Sequence, residues 1–454
     1  MTHAQRLADF VVRASYHDFS ASALAQLKLH VLDTIGCAIG ALDGPPIRAV
    51  RQHVRELGGR AQCTLIGGGR SSVDRAAFYN SALVRYLDFM DNFLASGETC
   101  HPSDNFGSLL AVAEYAGRSG RDLLTALGVA YQVQCRLTQA APIMRNGFDH
   151  TTQLSYSIAA GTSKLLGLDR EKTTNALAIA GADCVFLAVI RAEPISQWKG
   201  LASADTAASA VQAALFARRG ITGPVEVFEG PKGFMEALDE RFEIDWSKED
   251  LELVNRTLIK RYNAEVHSQS ALEGILEVRD AFGIAAKDVE SVRIDIFRTA
   301  YDIIGGGEFG KKERPRVKEQ ADHNLRYLAA VALLDGEVGP AQFTPQRIRR
   351  RDVQTLLQKV TVKPSRMYTW RYPDEMPCRI TIRLKNGRRI KIGKETYEGF
   401  YRTPMSWDRV VAKFEGLTER FTTRPLRQEI ITAVQNLEKL RTRDLTRLLA
   451  RARQ

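Results

Sequence analysis

Apolar positions recur at helical spacing through most of the first 280 residues. In SALAQLKLHVLDTIGCAIGAL, residues 22–42, they lie on one face and then run all round, which predicts a core helix. The same reading holds for segments 76–89, 109–117, 123–141, 151–168, 173–190 and 204–220. All are rich in Ala, Leu and Gly, residues small enough for helices to pack closely, and Gly36, Gly120 and Gly220 are expected near helix ends. Beyond residue 285 the period changes. VESVRIDIF (289–297) alternates as a half-buried strand does, and KVTVKP (359–364) is a second short strand. CRITIRLKNGRRIKIG (378–393) reads as a hairpin around Asn386-Gly387, residues that suit a type I′ turn. Segments 317–336, 406–417 and 426–449 return to helical spacing. The predicted fold is mainly α with an α/β insertion. A large all-helical domain begins with residues 1–268, a smaller α/β domain spans 269–404, and the helices of 405–454 rejoin the helical domain.

Composition adds bounds. A chain of 454 residues, 44% of them hydrophobic, supports two or more domains with cores of their own. With 26% charged and 8% aromatic residues it is an ordinary globular composition, not a disordered one. No apolar run reaches membrane-spanning length, so no membrane partner is expected. The first residues, MTHAQRLADFVVRASYHDF, are amphipathic and interrupted by charge, unlike a secretory leader, and a cytoplasmic enzyme is the expectation. Six cysteines lie far apart with no CxxC pair, which argues against structural zinc or an iron–sulfur cluster and for buried thiols. The net charge of +11 is concentrated late: 14 Lys/Arg against 3 Asp/Glu between 345 and 391, and 12 against 6 from 402 onward. No nucleic-acid module accompanies these cations, so no nucleic-acid partner is expected. They suit a small polyanion or a solvated face.

Several short segments carry candidate chemistry. GGGEFGKK (305–312) fits G-x-x-x-x-G-K, but Lys312 stands where a phosphate loop needs Ser or Thr, and a mobile loop is expected instead. Asp88 and Asp91 are three apart and on a helix share a face. His101 precedes Pro102, with Ser103 as the expected helix cap. A helix start there disfavours imidazolium, keeps His101 a proton acceptor, and offers N–H groups to a carboxylate. Lys199 lies in SQWKGLASAD, Lys260 and His267 in LIKRYNAEVHSQSALEG, and His323 and Tyr327 in ADHNLRYLAAVALL. Spacing alone does not bring these groups together, and each also fits an ordinary structural role.

In order along the chain, LHVLDTIGCAIGAL, YLDFMDN with HPSDN, GFDHTT with KLLGLD, WKGLASAD, GPVEVFEGPKGF, AEVHSQSALEG and ADHNLRYLAAVALLDG resemble the MmgE/PrpD family, which contains cofactor-independent 2-methylcitrate dehydratases and cis-aconitate decarboxylases. The resemblance covers nearly the whole length, and HPSDN and AEVHSQSA are more similar to the dehydratase branch. It implies a large helical domain with a smaller α/β lid, a homodimer, an active site between the domains, and neither cofactor nor metal. Carried over by motif, the implied catalytic residues are Asp88, His101, Lys199, His267 and Tyr327. The implied substrate contacts are Asp91, Asn92, His150, Lys260 and Arg326. The chain departs from the family pattern at Asn92, where Thr is usual, at Thr99-Cys100, where the dehydratases often have Trp-Gly, and at Asn324 and Arg326. These departures bear on the substrate more than on the reaction class.

The implied activity is a lyase acting on a small polycarboxylate, foremost dehydration of 2-methylcitrate or a related 2-hydroxy tricarboxylate in propionate catabolism. Such a reaction needs a base for the C–H beside a carboxylate, an acid for the departing hydroxyl, and cations for the developing charge. His101 suits the base, with Asp88 orienting a histidine. Tyr327 or a protonated histidine suits the acid, and Lys199 and Lys260 the cations. An Arg326 guanidinium suits an extra carboxylate. Decarboxylation of a cis-aconitate-like acid, or epimerisation or isomerisation of a related polyacid, needs much the same groups. From a different class, a catalytically silent binding or scaffold protein would use the basic C-terminal third.

Overall fold

The computed structural model describes residues 1–453. The chain forms mainly α structure with a smaller α/β part, and its residues divide into two compact units. The first comprises Met1–Ala188, Gly200–Leu258 and the residues from Ser406 onward; the second comprises Val189–Lys199 and Ile259–Met405. The change from the first unit to the second at Leu258–Ile259 has a hydrogen-bonding reason. Leu258 exchanges backbone hydrogen bonds with Asn92 (3.0 and 2.8 Å) in the first unit, whereas the N–H of Ile259 donates to Gly399 (2.9 Å) in the second. The excursion Val189–Lys199 carries no compositional mark and was not anticipated.

The first unit is built from helices α1 (Ala21–Gly40), α2 (Val73–Tyr86), α3 (Phe106–Tyr115), α4 (Gly120–Ala140), α5 (Thr151–Leu166), α6 (Arg170–Asp183) and α7 (Ala202–Arg218). Their ends follow local chemistry. The Ser20 side chain accepts the Ala23 N–H at the start of α1, and Ser119 with Asp122 forms a reciprocal capping box on α4. α5 packs against α4, α6 and α7, and α2 against α3 and α7. Gly36, expected near a helix end, lies inside α1. A Cβ there would sit 3.3 Å from the backbone of Phe414, so the glycine admits the helix Trp407–Thr418 to close range. A short hairpin, β1 (Phe93–Ala95) and β2 (Glu98–Cys100), interrupts the helices.

The second unit holds a four-stranded sheet of β3 (Val289–Ile296), β4 (Val360–Pro364), β5 (Cys378–Leu384) and β6 (Arg389–Lys394), in the order β4-β3-β5-β6. β4 runs parallel to β3, and the other pairs are antiparallel. Val292, Ile294, Ile296, Ile380 and Ile382 supply its buried face. Helices α8 (Gln269–Phe282) and α9 (Leu325–Asp335) pack on the sheet and on each other. The β5–β6 turn differs from the type I′ expectation. Gly387 has φ +85° but Asn386 does not enter the left-handed region, and the Leu384 N–H donates to the carbonyl of Arg388 (2.9 Å). The loop is therefore three residues long with glycine in the left-handed position, the next commonest hairpin connection. In the 305–312 segment the Lys312 side chain is buried with its Nζ 3.4 Å from Glu193, which pins the end of that loop. The six cysteines are buried and none forms a disulfide. Among the described residues no helix is long and apolar enough to cross a membrane.

Candidate functional site

The β1–β2 hairpin organises the candidates of the first unit. α2 ends at Tyr86, and Asp88 then takes a left-handed conformation (φ +54°), so Asp88 and Asp91 do not share a helix face as their spacing suggested. The chain turns into β1 instead. Because Phe93 pairs with Cys100 and the turn is only Ser96-Gly97, residues just before β1 face residues just after β2. His101 is thereby brought to Asp91, with its Nδ1 2.9 Å from the Asp91 backbone carbonyl. A carbonyl only accepts, so Nδ1 carries the proton and Nε2 is the basic nitrogen. His101 itself occupies the cap position of the turn Pro102–Asn105 that leads into α3. Ser103 is not the cap; its N–H donates to Asp91 Oδ1 (2.9 Å).

Asp91 is a structural hub. Its Oδ2 accepts the Tyr131 hydroxyl (2.7 Å) and lies 3.2 Å from His30 Nδ1. Burial pushes its carboxyl up, but the contacts with His30 and Ser103 outweigh that and hold it below the ordinary aspartate value. Tyr131 is pushed well up by burial and by the Asp91 charge, so it stays a phenol. Both carboxylate oxygens of Asp91 are thus occupied inside the unit. Its neighbour Asn92 is the opposite case. The side chain is fully buried, and neither amide atom has a hydrogen-bond partner among the described residues. An amide left so costs about 1–3 kcal/mol and calls for a ligand or an ordered water. Asp88 is held by Arg85 (Oδ1 to Nη1, 2.8 Å), and the same guanidinium lies 3.9 Å from Asp104 in the turn after His101. His150, at the start of α5, has its ring centroid 5.2 Å from that of His101.

The second unit gathers Lys199, Lys260, His267 and His323 around two buried carboxylates. Asp322 Oδ1 lies 2.7 Å from His323 Nδ1 and 3.8 Å from Lys199 Nζ, and its other oxygen is 2.7 Å from Lys318. Burial raises the Asp322 carboxyl, but the charges of Lys199, Lys318 and His323 hold it far below its usual range, so it is ionised. Lys199 Nζ also approaches His323 Nδ1 (3.2 Å). One ring nitrogen cannot donate to Asp322 and accept from Lys199 together. The shorter contact to an ionised acceptor prevails, so Nδ1 keeps its proton and Lys199 acts here as a charge. The Glu265 N–H donates to the Asp322 carbonyl (3.0 Å), which joins this cluster to the next. Glu265 Oε1 lies 2.7 Å from His267 Nδ1, and its Oε2 accepts the His267 N–H (2.9 Å). Burial pushes Glu265 up; His267, His323 and Lys260 together hold it below the ordinary glutamate value.

Tyr327 stands apart from these groups. It is fully buried on α9, and its hydroxyl donates to the backbone carbonyl of Gln342. Burial raises its phenol, with Arg347 opposing. Arg326 is half-buried, and its Nε is buried without a hydrogen-bond partner among the described residues. His30, Tyr131, Glu265 and Asp322 were not singled out from the sequence. A histidine inside an apolar helix, and acids one or two positions before His323 and His267, were the signals available.

Comparison with known proteins bears on the whole chain. Residues 5–247 match the MmgE/PrpD N-terminal domain and residues 262–439 the MmgE/PrpD C-terminal domain. The chain is 28% identical over 384 residues to a 2-methylcitrate dehydratase of Escherichia coli strain K12, covering 80% of this chain and 78% of that protein. It is 28% identical over 412 residues to a 2-methylcitrate dehydratase of Cupriavidus necator (84% and 82%). It is 26% identical over 447 residues to a cis-aconitate decarboxylase of Mus musculus (93% and 88%).

Proposed function

The chain belongs to the MmgE/PrpD family, and from that premise we propose that it is a hydro-lyase that dehydrates 2-methylcitrate or a related 2-hydroxy tricarboxylate without a cofactor. The observation that carries the reading is the fixed tautomer of His101. Its Nδ1–H is committed to a backbone carbonyl, which leaves Nε2 as a base for the C–H beside a carboxylate. As that proton leaves, its electron pair forms the C=C bond and the neighbouring C–O bond breaks. Lys199 and Lys260, both almost wholly buried, stabilise the negative charge that builds on the adjoining carboxylate, and their effect is stronger away from water. The departing hydroxide takes a proton from the His267 side of the second unit. Tyr327 is left out of this role, because its hydroxyl is engaged by Gln342 and sealed from solvent. Asp91 positions His101 rather than contacting substrate, whereas Asn92, His150 and Arg326 remain the proposed substrate contacts. Asn92 and Arg326 both bring buried donors that lack hydrogen-bond partners among the described residues.

A second reading is decarboxylation of an unsaturated tricarboxylate, favoured by the mouse relative's match over 93% of this chain. Proton NMR of the purified protein with 2-methylcitrate, citrate, cis-aconitate and iminodisuccinate separates these readings. A new unsaturated tricarboxylate from 2-methylcitrate is the expected result. Loss of CO2 from cis-aconitate would move the assignment to the second reading, and no turnover of any of the four by folded protein would end the polycarboxylate reading.

A further inference from the structure

His267 is almost wholly buried, yet Tyr372, which stands against it, is only partly so. Tyr372 Oη lies 3.0 Å from His267 Nε2, on the side of the ring opposite Glu265. Its ring is stacked on Phe297 (centroids 4.5 Å apart, planes 10° apart), and Phe297, fully buried, presents its edge to His267 at 5.6 Å. The three rings form one packed wall that fixes the phenol on Nε2. From these contacts we infer that Tyr372 is a catalytic residue, the outer end of a Glu265–His267–Tyr372 relay through which His267 delivers a proton to the leaving hydroxyl. The inference rests on the lyase reading above and deepens it.

The proton positions follow from the partners. Glu265 is buried, ionised and 2.7 Å from Nδ1, so Nδ1 keeps its proton and Nε2 is the nitrogen that faces Tyr372. Lys260, His323 and Lys312 also act on Glu265. With His267 neutral, the phenol donates to Nε2 and its proton is engaged. With His267 protonated, Nε2–H donates to Oη across the same 3.0 Å, and the phenol proton becomes available for transfer. In the reacting state the substrate C–O bond breaks, the departing oxygen takes the Tyr372 proton to leave as water, and Nε2 returns a proton to Oη. His267 ends as neutral imidazole, the substrate's carbon-bound proton ends on His101, and solvent exchange resets both. No oxidant, reductant or co-reactant is needed. A lone phenol is too weak an acid at neutral pH. A phenol backed by an imidazolium that is itself held by a carboxylate passes on a proton without ever becoming phenolate.

The test is Tyr372→Phe, which keeps the stacking ring and removes only the hydroxyl. On whichever polyacid the native enzyme dehydrates, kcat should fall about 100-fold with KM within about threefold, the pattern of an interaction made in the transition state. A kcat within about threefold of native overturns the relay. A second readout does not need activity: in the long-range ¹⁵N spectrum of the histidines, the His267 Nε2 resonance should move in Tyr372→Phe while Nδ1 stays protonated. An unmoved Nε2 resonance overturns the contact on which the relay stands, even if the native protein turns over none of the four acids and the lyase reading itself falls.

Discussion

The two units hold their histidines in different ways. In the first, Nδ1 of His101 is tied to a backbone carbonyl, and the nearby carboxylate of Asp91 is used up by Ser103, Tyr131 and His30. In the second, His267 and His323 each have a buried ionised carboxylate directly on Nδ1. A carbonyl fixes the tautomer at little gain in basicity, whereas a carboxylate fixes it and also stabilises the imidazolium. The first arrangement therefore suits a base that must start neutral, and the second an acid that must start charged. In the proposed reaction the charge of one hydrogen-bond acceptor thus separates the two tasks given to the same residue type.

Removing the proposed base is the most damaging way to probe this contrast: His101→Ala should lower kcat about 10³-fold while circular dichroism and thermal midpoint stay near native. Asp91→Ala comes next and should act on the fold. It strips the acceptor from two buried donors, the Ser103 N–H and the Tyr131 hydroxyl, and the counter-charge from His30, so urea unfolding should show a loss of about 3 kcal/mol. The acid limb of stability should report the same group. Asp91 and Glu265 are both held below their ordinary values, so their contribution is complete above those values and is lost as pH falls through the folded ones. The urea midpoint should drop as pH falls below about 5 and go on dropping below the ordinary carboxylate values, and Asp91→Asn should flatten that slope. In the second unit, Glu265→Gln should cut kcat about 30-fold and leave KM within about threefold, because it loosens the hold on His267 Nδ1 without touching the substrate contacts. The smallest effect is expected for Tyr327→Phe, with kcat within about twofold of native and a stability loss near 1 kcal/mol from the hydrogen bond to Gln342. A large fall in kcat there would return Tyr327 to the reaction.

The helices and the sheet strands were legible because each follows a long period, as in 22–42 and 289–297. What escaped depends on single backbone torsions or on distant pairing. One left-handed residue, Asp88, ends α2 and undoes the helical face assumed for Asp88 and Asp91. A hairpin of only three residues per strand, too short to show alternation, sets His101 against Asp91. The carboxylates of Glu265 and Asp322 were visible beside their histidines, but sequence adjacency does not show whether a side chain turns back on its neighbour. Tyr372 is separated from His267 by more than a hundred residues, and only the packed sheet and its connections bring the two together.

One consequence of the three-part first unit concerns synthesis on the ribosome. Phe414 packs on Gly36, and Lys413 Nζ lies 2.7 Å from the buried Asp33 of α1. Both partners emerge only after the whole of the second unit has been made. At elongation rates of about 5–20 residues per second, that leaves α1 with a bare face and an uncovered acid for roughly 8 to 30 seconds after Leu258 has been added. Folding of the first unit therefore waits for the segment after the second unit, and a nascent chain stopped before residue 406 should stay protease-sensitive along α1 however completely its other helices have assembled.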